Sequence, residues 1–544
     1  MNGIEYKNLF MAGYSLLKTN CALVNDLNVF PIPDGDTGDN MCSTLLGGIS
    51  AIENEESNDL SQVSKTVAHG MLLGARGNSG VILSQIFAGI NKGLENIQTA
   101  TVEDIKNALK LGVTASYTAV DKPSEGTILT VYREAVEAVE NKPFKDAEGL
   151  FAAFVSAAEI SLEDTPNKLA CLKEAGVVDS GGKGLCLIFR GFLACLRGEN
   201  IQSELVVTEE KTANGVDLSK FNEDTVMKFG YCTEFLLQLT NAKTDIAKFS
   251  LEKYKRGLQG LGDSLVAFIT GSVVKTHIHS FNPDRILAYA LSFGELLTIK
   301  IENMTLQHNE TIAIEAPSKY AKNTQRKKIA VVTVATGNGL KQIFEGFGAD
   351  AVIYGGQGNN PSTEDFLEAY DAVNADDILV LPNNGNIYLV AKASAEIYQG
   401  SNIHVINCKS IGEGYSALSM YDPAESVEDI SSQMLEIIEN TVSGMVSVAT
   451  RDACVDGIEI KVGQYVGFSQ KHILSVGVNK LDAAMALLDK LNIKEKYILT
   501  AIYGKDITNE EKQKFEAEIA SKYPDIEFYG IDGEQDVYDF VFVL

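Results

Sequence analysis

The chain has 544 residues, of which 45% are hydrophobic and 11 are proline, and its 73 acidic and 46 basic residues give a formal net charge of -27. At roughly 100 to 200 residues per domain, this length predicts two to four domains, and the composition excludes long disordered arms. The charge argues against a nucleic-acid partner, because binding to a phosphate backbone requires clustered lysine and arginine.

The eight cysteines show no tight spacing pattern, and no leader with a basic start and an apolar middle precedes them. This usage predicts reduced thiols and therefore a cytoplasmic location. The longest apolar runs, such as AVVTVA and YDFVFVL, are far shorter than the ~20 residues that cross a bilayer. We expect no transmembrane segment.

Residues 1–200 form the first predicted domain. Apolar residues recur at helical spacing in segments such as GVILSQIFAGINKGL, DIKNALKLGVTASYTAV and GLFAAFVSAAEISL, and no convincing strand interrupts them. The pattern predicts an all-α domain of about eight helices. The periodicity is lost over residues 201–225, which we interpret as a linker.

Within this domain, the stretch NVFPIPDGDTGDNM at residues 28–41 places three carboxylates within six residues. Its two prolines hold the chain extended, and the glycine between Asp34 and Asp36 lets those side chains lie close together. Adjacent carboxylates repel each other unless they are protonated or bridged by a cation, and hard oxygen ligands suit Mg²⁺. The loop is therefore a candidate metal site for a nucleotide.

The residues alone allow a second interpretation of the same loop, and the two weigh about equally. An Asp/Gly turn would begin a helix near Asn40, with Thr37 or Asp39 as its cap.

Two further glycine-rich loops run into apolar helices: GARGNSG at residues 74–80 and DSGGKG at residues 179–184. The free amides and the dipole of a helix N-terminus face whatever lies in such a loop. Neither loop has Walker A spacing, and each by itself is more typical of a plain helix start. Three such loops in one helical domain favour a phosphate site. Arg76 would either meet a transferred phosphate or hold its own loop.

Residues 226–315 form the second predicted domain. Strands and helices alternate there in the order β-α-β-β-α-β, which is the ferredoxin-like, α+β arrangement. A polar segment at residues 316–328 is the second predicted linker.

The segment THIHS in this domain carries two of the six histidines of the chain. On a strand, His277 and His279 share one face, and Cys232 on a neighbouring strand would complete three zinc ligands with an open fourth position. By sequence alone, two solvated histidines and a buried structural cysteine are the commoner outcome.

Residues 329–544 form the third predicted domain. Strands such as KIAVVTVA, DAVIYGG, DILVLPN and NIHVIN alternate with helical segments, which predicts a mostly parallel α/β sheet followed by a mixed tail. The loop GGQGNNPSTED would bind a phosphate or a backbone, or would simply precede a helix that Ser362 caps, with Asp365 three residues on. We favour the helix cap.

Several of these strings resemble the catalytic subunit of bacterial fatty acid kinase, whose first domain is similar to the small subunit of dihydroxyacetone kinase. In the first domain they are NVFPIPDGDTGDNM, LLGARGNSGVILSQ, KPSEGTILTVYREA and EAGVVDSGGKGL. Further on they are FGYCTEFLLQL, VKTHIHSFNP, GELLTIKIENMTLQH, GGQGNNPSTEDF, LPNNGNI and RDACVDGIEIKVG. The resemblance covers essentially the whole chain in order.

The resemblance implies an eight-helix barrel that binds ATP and Mg²⁺, a middle domain with a zinc ion, and a C-terminal domain that meets a separate protein. It implies Mg²⁺ at Asp34 and Asp36, and zinc at Cys232, His277 and His279. The catalytic candidates are Asp34, Asp36, His277 and His279, together with Arg76, which is a candidate on its own chemistry. The implied nucleotide-binding residues are Thr37, Gly38, Asp39, Asn40, Thr44, Gly77, Asn78, Ser79, Gly80, Thr127, Asp179, Ser180 and Gly181.

Three positions of this chain need comment beside the family pattern. Dihydroxyacetone kinases have a third aspartate upstream of the pair, where this chain has Asn28 and, beyond it, Asp26. Asp39 stands where a small neutral residue is expected, so its charge must point away from the phosphates. Arg451 is a candidate contact with the partner.

The implied reaction is phosphorylation of a fatty acid carboxylate by ATP, with the acid presented by a separate fatty-acid-binding protein, and we expect a homodimer. One alternative is a small hydroxyketone kinase of the dihydroxyacetone type. Another is a nucleotide-sensing interaction protein without kinase activity.

Overall fold

The structure is a computed structural model and describes residues 1–28, 35–199, 231–244, 246–259, 261–270, 272–303, 320, 323, 325–470 and 472–544. The chain forms two compact units, one of residues Met1–Leu205 with Lys319–Leu544 and the other of residues Val206–Ser318. Within the ranges just given, none of the helices combines the length and the apolar character of a bilayer span.

The N-terminal part of the first unit is helical. Its described residues contain eight long helices and three short ones. The long helices are α1 (Gly3–Thr19), α3 (Thr37–Ala51), α4 (Leu60–Leu73), α5 (Gly77–Leu94), α6 (Val102–Thr118), α7 (Ile128–Glu140), α8 (Ala147–Glu163) and α11 (Ser180–Leu196). The short ones are α2 (Cys21–Asp26), α9 (Thr165–Lys168) and α10 (Ala170–Ala175).

Aromatic side chains fill the centre of this helical domain. The Phe189 ring lies 4.6 Å from the Phe154 ring and 5.2 Å from the Phe192 ring, centroid to centroid. Phe10 packs edge-on against Phe87 at 4.8 Å, and all five of these side chains are at most 2% exposed. Because each helix contributes one apolar stripe to this centre, the helix ends and their loops are left to form a site.

The described residues of the second unit form one antiparallel sheet and two helices. Its strands are β1 (Tyr231–Leu239), β2 (Asp263–Thr270), β3 (Val273–Ser280) and β4 (Gly294–Asn303), in the order β2-β3-β1-β4. Between the strands lie a 3-10 turn (Ile246–Lys248) and the helices α12 (Leu251–Gln259) and α13 (Pro283–Leu291). Phe235, Tyr254, Ile278 and Ile286 form its core.

The C-terminal part of the first unit begins with a parallel sheet. Its strands β5 (Lys327–Ala335), β6 (Ala351–Tyr354), β7 (Ala375–Leu381) and β8 (Asn402–Val405) lie in the order β6-β5-β7-β8, and every pair is parallel. The helices α14 (Asn338–Gly346), α15 (Thr363–Val373) and α16 (Tyr388–Ile397) connect them. The near-continuous apolar run of β5 is that of a strand buried on both faces.

A second sheet follows in the part of the chain that was expected to be a mixed tail. The order is β13-β12-β9-β16-β14-β15, and only β14 and β15 are parallel. These strands are β9 (Ser443–Val448), β12 (Tyr465–Ser469), β13 (His472–Gly477), β14 (Ile498–Tyr503), β15 (Glu527–Asp532) and β16 (Phe540–Val543), and a separate hairpin pairs β10 (Ala453–Val455) with β11 (Ile458–Ile460). The helices α17 (Ile411–Ser419), α18 (Val427–Asn440), α19 (Lys480–Lys490) and α20 (Asn509–Lys522), with a 3-10 turn (Ile493–Glu495), complete the chain.

The helical domain and the parallel sheet share apolar core within the first unit. Ala75, in the loop before α5, and Val81, near the start of that helix, are 0% and 2% exposed and belong to the cluster that contains Val332, Phe366 and Val390. The loop that precedes α5 is therefore fixed against the α/β domain.

Candidate metal and nucleotide site

The carboxylate loop leads directly into α3. This helix begins at Thr37, three residues before the expected start, and Asp36 takes the N-cap position without a side-chain cap bond. The expectation that Thr37 or Asp39 caps the helix was wrong, because both side chains make hydrogen bonds to other segments. Asp34, the other predicted magnesium ligand, lies outside the described residues.

Asn28 joins the starts of two helices. Its Oδ1 accepts a hydrogen bond from the Thr37 hydroxyl and another from the Ser180 hydroxyl, both at 3.0 Å. The two hydroxyls are 3.3 Å apart. The N-termini of α3 and α11, which are 143 residues apart in the chain, therefore lie at one place.

The carboxylate of Asp39 is held on the side of α2. Its Oδ2 accepts from the Asn25 side-chain amide at 2.8 Å, and its Oδ1 accepts from the Cys21 thiol at 3.1 Å. A hydrogen bond with Cys42 and burial raise the pKa of the Cys21 thiol, which therefore stays protonated and donates. The Asn25 Oδ1 accepts from the Gly38 N–H at 2.7 Å, which ties α2 to the first turn of α3.

Asp179 caps α11 and reaches a third helix start. Its Oδ2 accepts from the Gly182 N–H at 2.7 Å, and the carboxylate also accepts from the backbone of Ile128, the first residue of α7. Burial raises the pKa of this carboxyl to about 6, against the bonds from these two amides. Gly181 is buried beside Ile128, and Thr127, at the N-cap of α7, donates its hydroxyl to the Ser124 carbonyl at 2.8 Å.

The start of α5 lies against α3. Gly77 has a φ of 56°, and a Cβ at this position would lie 2.6 Å from the Asn40 Nδ2. One turn along, a Cβ at Gly80 would lie 2.4 Å from the hydroxyl oxygen of Thr44, which is fully buried and donates to the Asn40 carbonyl. Thr44 and Gly80 therefore bring the two helices together, while Asn78 and Ser79 stay partly exposed.

The α/β domain contributes side chains that the sequence analysis did not assign to this site. The Asn360 Nδ2 donates to the Asp36 Oδ2 at 2.7 Å, and the Asn78 Nδ2 donates to the Asn386 Oδ1 at 3.2 Å. Arg76 donates to the Asn360 carbonyl at 3.1 Å. Its guanidinium therefore links the loop before α5 to the α/β domain.

Arg451, the candidate for contact with a partner, donates within the chain. Its Nη1 hydrogen-bonds the carbonyls of Asp26, at 2.8 Å, and of Asn28. A Cβ at Gly35 would lie 3.2 Å from its Nη2. The guanidinium therefore binds the backbone where the carboxylate loop starts and lies close to Gly35.

These residues fit a magnesium ion and a polyphosphate. Mg²⁺ takes oxygen ligands, and the site offers the Asp36 carboxylate with the hydroxyls of Thr37 and Ser180. Two buried amide oxygens, Asn78 Oδ1 and Asn360 Oδ1, have no hydrogen-bond partner among the described residues, as expected of acceptors that face a bound cation or its water. The helix starts supply the dipoles that favour a phosphate group.

The predicted zinc ligands lie on paired strands of the second unit. Cys232 is the register partner of His279, and Glu234 is that of His277. Their side chains lie outside what the structure describes. Among the side chains that it does describe, no group of three or more His, Cys, Asp or Glu is placed to hold a metal.

Three known domains match the chain in order. Residues 31–194 match a DAK2 domain, residues 228–311 match the middle domain of FakA-like fatty acid kinase proteins, and residues 330–544 match the C-terminal domain of the same FakA-like proteins. Protein YloV of Bacillus subtilis is 37% identical over 548 residues, which cover 99% of this chain and 98% of that protein. A protein of Staphylococcus saprophyticus is 38% identical over 555 residues, which cover 100% of this chain and 99% of its own length.

Two solved structures are also similar to parts of the chain. One is the Streptococcus pneumoniae fatty acid kinase B3 protein loaded with linoleic acid, at 12% identity and a TM-score of 0.27, covering 40% of this chain and 98% of that one. The other is the dihydroxyacetone kinase of C. freundii, at 15% identity and a TM-score of 0.29, covering 40% of this chain and 48% of that one.

The DAK2 domain gives the class of the protein, a multidomain kinase of the dihydroxyacetone kinase-like type. The full-length match to its relatives and the two further matched domains then give the family. The chain belongs to the FakA-like family of fatty acid kinase proteins, as the motifs in its sequence predicted.

Proposed function

We propose that the protein transfers the γ-phosphate of ATP to the carboxylate of a fatty acid, which a separate fatty-acid-binding protein presents, and so forms an acyl phosphate. Membership of a fatty acid kinase family supports the acceptor class. The FakA-like proteins are one component of a kinase with more than one subunit, and we assign the carrier to a further component. The observation that carries the proposal is the meeting of Asn28, Thr37 and Ser180 beside Asp36.

The chain's residues have two tasks in such a transfer. The first amides of α3, α5 and α11 donate to phosphate oxygens, while the hydroxyls of Thr37 and Ser180 donate to Asn28 and offer their oxygen lone pairs to the site. Asp36, with Asp34, holds Mg²⁺, which neutralises charge on the polyphosphate. A fatty acid is already a carboxylate near neutral pH, so the acceptor needs no general base. Repulsion between two anions is the main barrier that these donors reduce.

Three further assignments belong to this proposal. Zinc binds at Cys232, His277 and His279, the chain forms a homodimer, and it works in the cytoplasm. Metal analysis of the purified chain should give one zinc per chain, and a Cys232→Ala variant should lose it while retaining Mg²⁺-dependent ADP binding. Retention of zinc in that variant would refute the ligand set.

The direct test is ADP release from ATP by the full chain with Mg²⁺, oleate and a fatty-acid-loaded carrier protein. Asp36→Asn should reduce turnover by two or more orders of magnitude, because the phosphate charge then lacks its metal ligand. Asp146→Asn is the control, since Asp146 is an exposed N-cap that asparagine replaces well. Normal turnover by Asp36→Asn would show that the metal site lies elsewhere.

The acceptor is tested in the same assay. Dihydroxyacetone in place of oleate and carrier should give no ADP above background, whereas turnover with it would identify a hydroxyketone kinase. Nucleotide binding without acyl phosphate formation for any acid tested would favour a nucleotide-sensing protein.

A further inference from the structure

The loop at residues 357–362 of the α/β domain ends inside the candidate metal site. Asn360 is only 3% exposed, and its side-chain amide donates to the Asp36 carboxylate at 2.7 Å, across 324 positions of sequence. The contact therefore joins a buried residue of that loop to Asp36, the described carboxylate on which the proposed function depends.

The backbone of Asn360 and of the residues that follow it is held by hydrogen bonds to residues 75–76. Its carbonyl accepts from Arg76, and the Thr363 N–H donates to the Ala75 carbonyl at 3.2 Å, so residues 75–76 and 362–363 pair like two short strands. Ser362 then caps α15 in a capping box with Asp365. These contacts fix the position of the Asn360 backbone, so its side-chain amide meets Asp36 in a defined place.

The side-chain oxygen of Asn360 is evidence for a bound ligand. Its Oδ1 is buried and has no hydrogen-bond partner among the described residues. The Asn78 Oδ1, in the first turn of α5, is also buried without a hydrogen-bond partner among the described residues, and the Nδ2 of the same side chain donates to Asn386. A buried acceptor without a donor is destabilising, and such atoms commonly mark a place for an ion or its water.

We propose that Asn360 is a positioning residue for the metal carboxylate, so that the α/β domain completes the Mg²⁺–nucleotide site of the helical domain. The inference rests on the proposed function and adds a residue from a second domain to it. The amide N–H would fix the plane of the Asp36 carboxylate, and the amide oxygen would be available to accept a hydrogen bond from a water of a bound cation. Partners of this kind, which orient a ligating carboxylate, change metal affinity by about 10 to 100-fold.

The test separates metal affinity from nucleotide affinity in the full chain. ADP binding is measured by calorimetry over a series of Mg²⁺ concentrations for the wild type and Asn360→Ala. The control is Asn359→Ala, the same change at an exposed neighbour whose backbone N–H and carbonyl pair with Gly356. The Mg²⁺ concentration that gives half-maximal ADP binding should be at least about 10-fold higher for Asn360→Ala than for the wild type. At saturating Mg²⁺, the ADP affinity of the variant should stay within about twofold of the wild type.

Three results would overturn the inference. Asn360→Ala could match Asn359→Ala, it could need less Mg²⁺ than the wild type because the amide competes with the cation, or it could lose ADP affinity equally at every Mg²⁺ concentration. The last result would mean that Asn360 only supports the domain contact. If Asn360→Ala does not fold, Asn360→Ser replaces it, because a serine hydroxyl is too short to reach Asp36 and should give the same shift.

Failure of the proposed function would look different. A wild-type chain that shows no Mg²⁺-dependent ADP binding would remove the nucleotide site and this inference together. Wild-type binding with unchanged Mg²⁺ dependence in Asn360→Ala would remove this inference alone.

Discussion

At the scale of single residues, Asp179 shows how one carboxyl group links ionisation to stability. Its carboxylate caps α11, accepts an N–H from α7 and lies among buried groups, so its pKa is raised from an ordinary 3.8 to about 6. A raised pKa means that the folded state binds the proton more tightly than the unfolded state does. The stability from this proton is fully present below about pH 4 and is lost as the pH rises through about 6.

We predict that Asp179→Asn flattens this part of the stability profile. Asparagine keeps a cap acceptor but does not ionise, so the variant should gain up to about 3 kcal/mol relative to the wild type between about pH 4 and about pH 7. Urea denaturation followed by circular dichroism across that range measures the difference. Parallel profiles for the two proteins would show that Asp179 does not titrate in this window.

The sequence singled out candidate residues but could not orient them. The spacing of Asp36 and the glycine loops is visible in the chain, because local turn chemistry depends on neighbouring residues. The turning of Asp39 toward Cys21 and Asn25 depends on where α2 packs, and no local pattern encodes that contact.

At the scale of elements, the packing of α5 on α3 depends on a backbone conformation. Gly77 combines a left-handed φ of 56° with a close approach to Asn40. A side chain there is therefore disfavoured both by the backbone conformation and by the steric clash. Gly176, at the end of α10, has a similar φ of 67°, but a Cβ there would have nothing within 4 Å. Comparing substitutions at Gly77 and Gly176 therefore separates the effect of the backbone φ from that of steric crowding.

We predict that Gly176→Ala destabilises the chain by about 1 to 2 kcal/mol through its φ alone. Gly77→Ala should cost at least about 1 kcal/mol more and should weaken ADP binding, since the first turn of α5 must move away from Asn40. Thermal melting and calorimetry on both variants check this. Equal losses of stability, with unchanged ADP affinity, would mean that the contact adjusts freely.

Element starts were the most predictable level of structure. The helices after the two glycine loops begin at Gly77 and Ser180, and the capping box of Ser362 with Asp365 is present as predicted. Each is specified by a few consecutive residues. The start of α3 was misplaced because Thr37 makes its hydrogen bond to Asn28 rather than to the helix.

At the scale of the whole molecule, the helical and α/β domains meet through apolar and polar contacts together. Ala75 and Val81 are buried in the core of the parallel sheet, and Lys392 of α16 forms an ion pair with Asp121 of the helical domain at 2.6 Å. These side chains are 32% and 58% exposed, so the pair is a modest and salt-dependent part of the contact.

We predict that Lys392→Glu weakens the domain contact by up to about 1 kcal/mol, because two like charges then face each other. Hydrogen exchange of the amides at residues 74–80 and 357–363 should accelerate by up to about fivefold. The double exchange Asp121→Lys with Lys392→Glu restores opposite charges and should restore the protection. If the amides of the double variant exchange as fast as those of Lys392→Glu, this ion pair does not support the domain contact.

The sequence by itself determined what short-range chemistry and periodicity encode: the helical and α/β character of the two ends of the chain, the glycine-rich helix starts and the family. Only the tertiary structure decided which distant groups meet, such as Asn360 with Asp36 and Arg451 with the carbonyls beside the carboxylate loop. The physical reason is that helix starts and turns are fixed by neighbouring residues, whereas a contact across hundreds of positions exists only after separate apolar faces have packed. The antiparallel second sheet was hidden for the same reason, since strand partners are chosen by the assembled core.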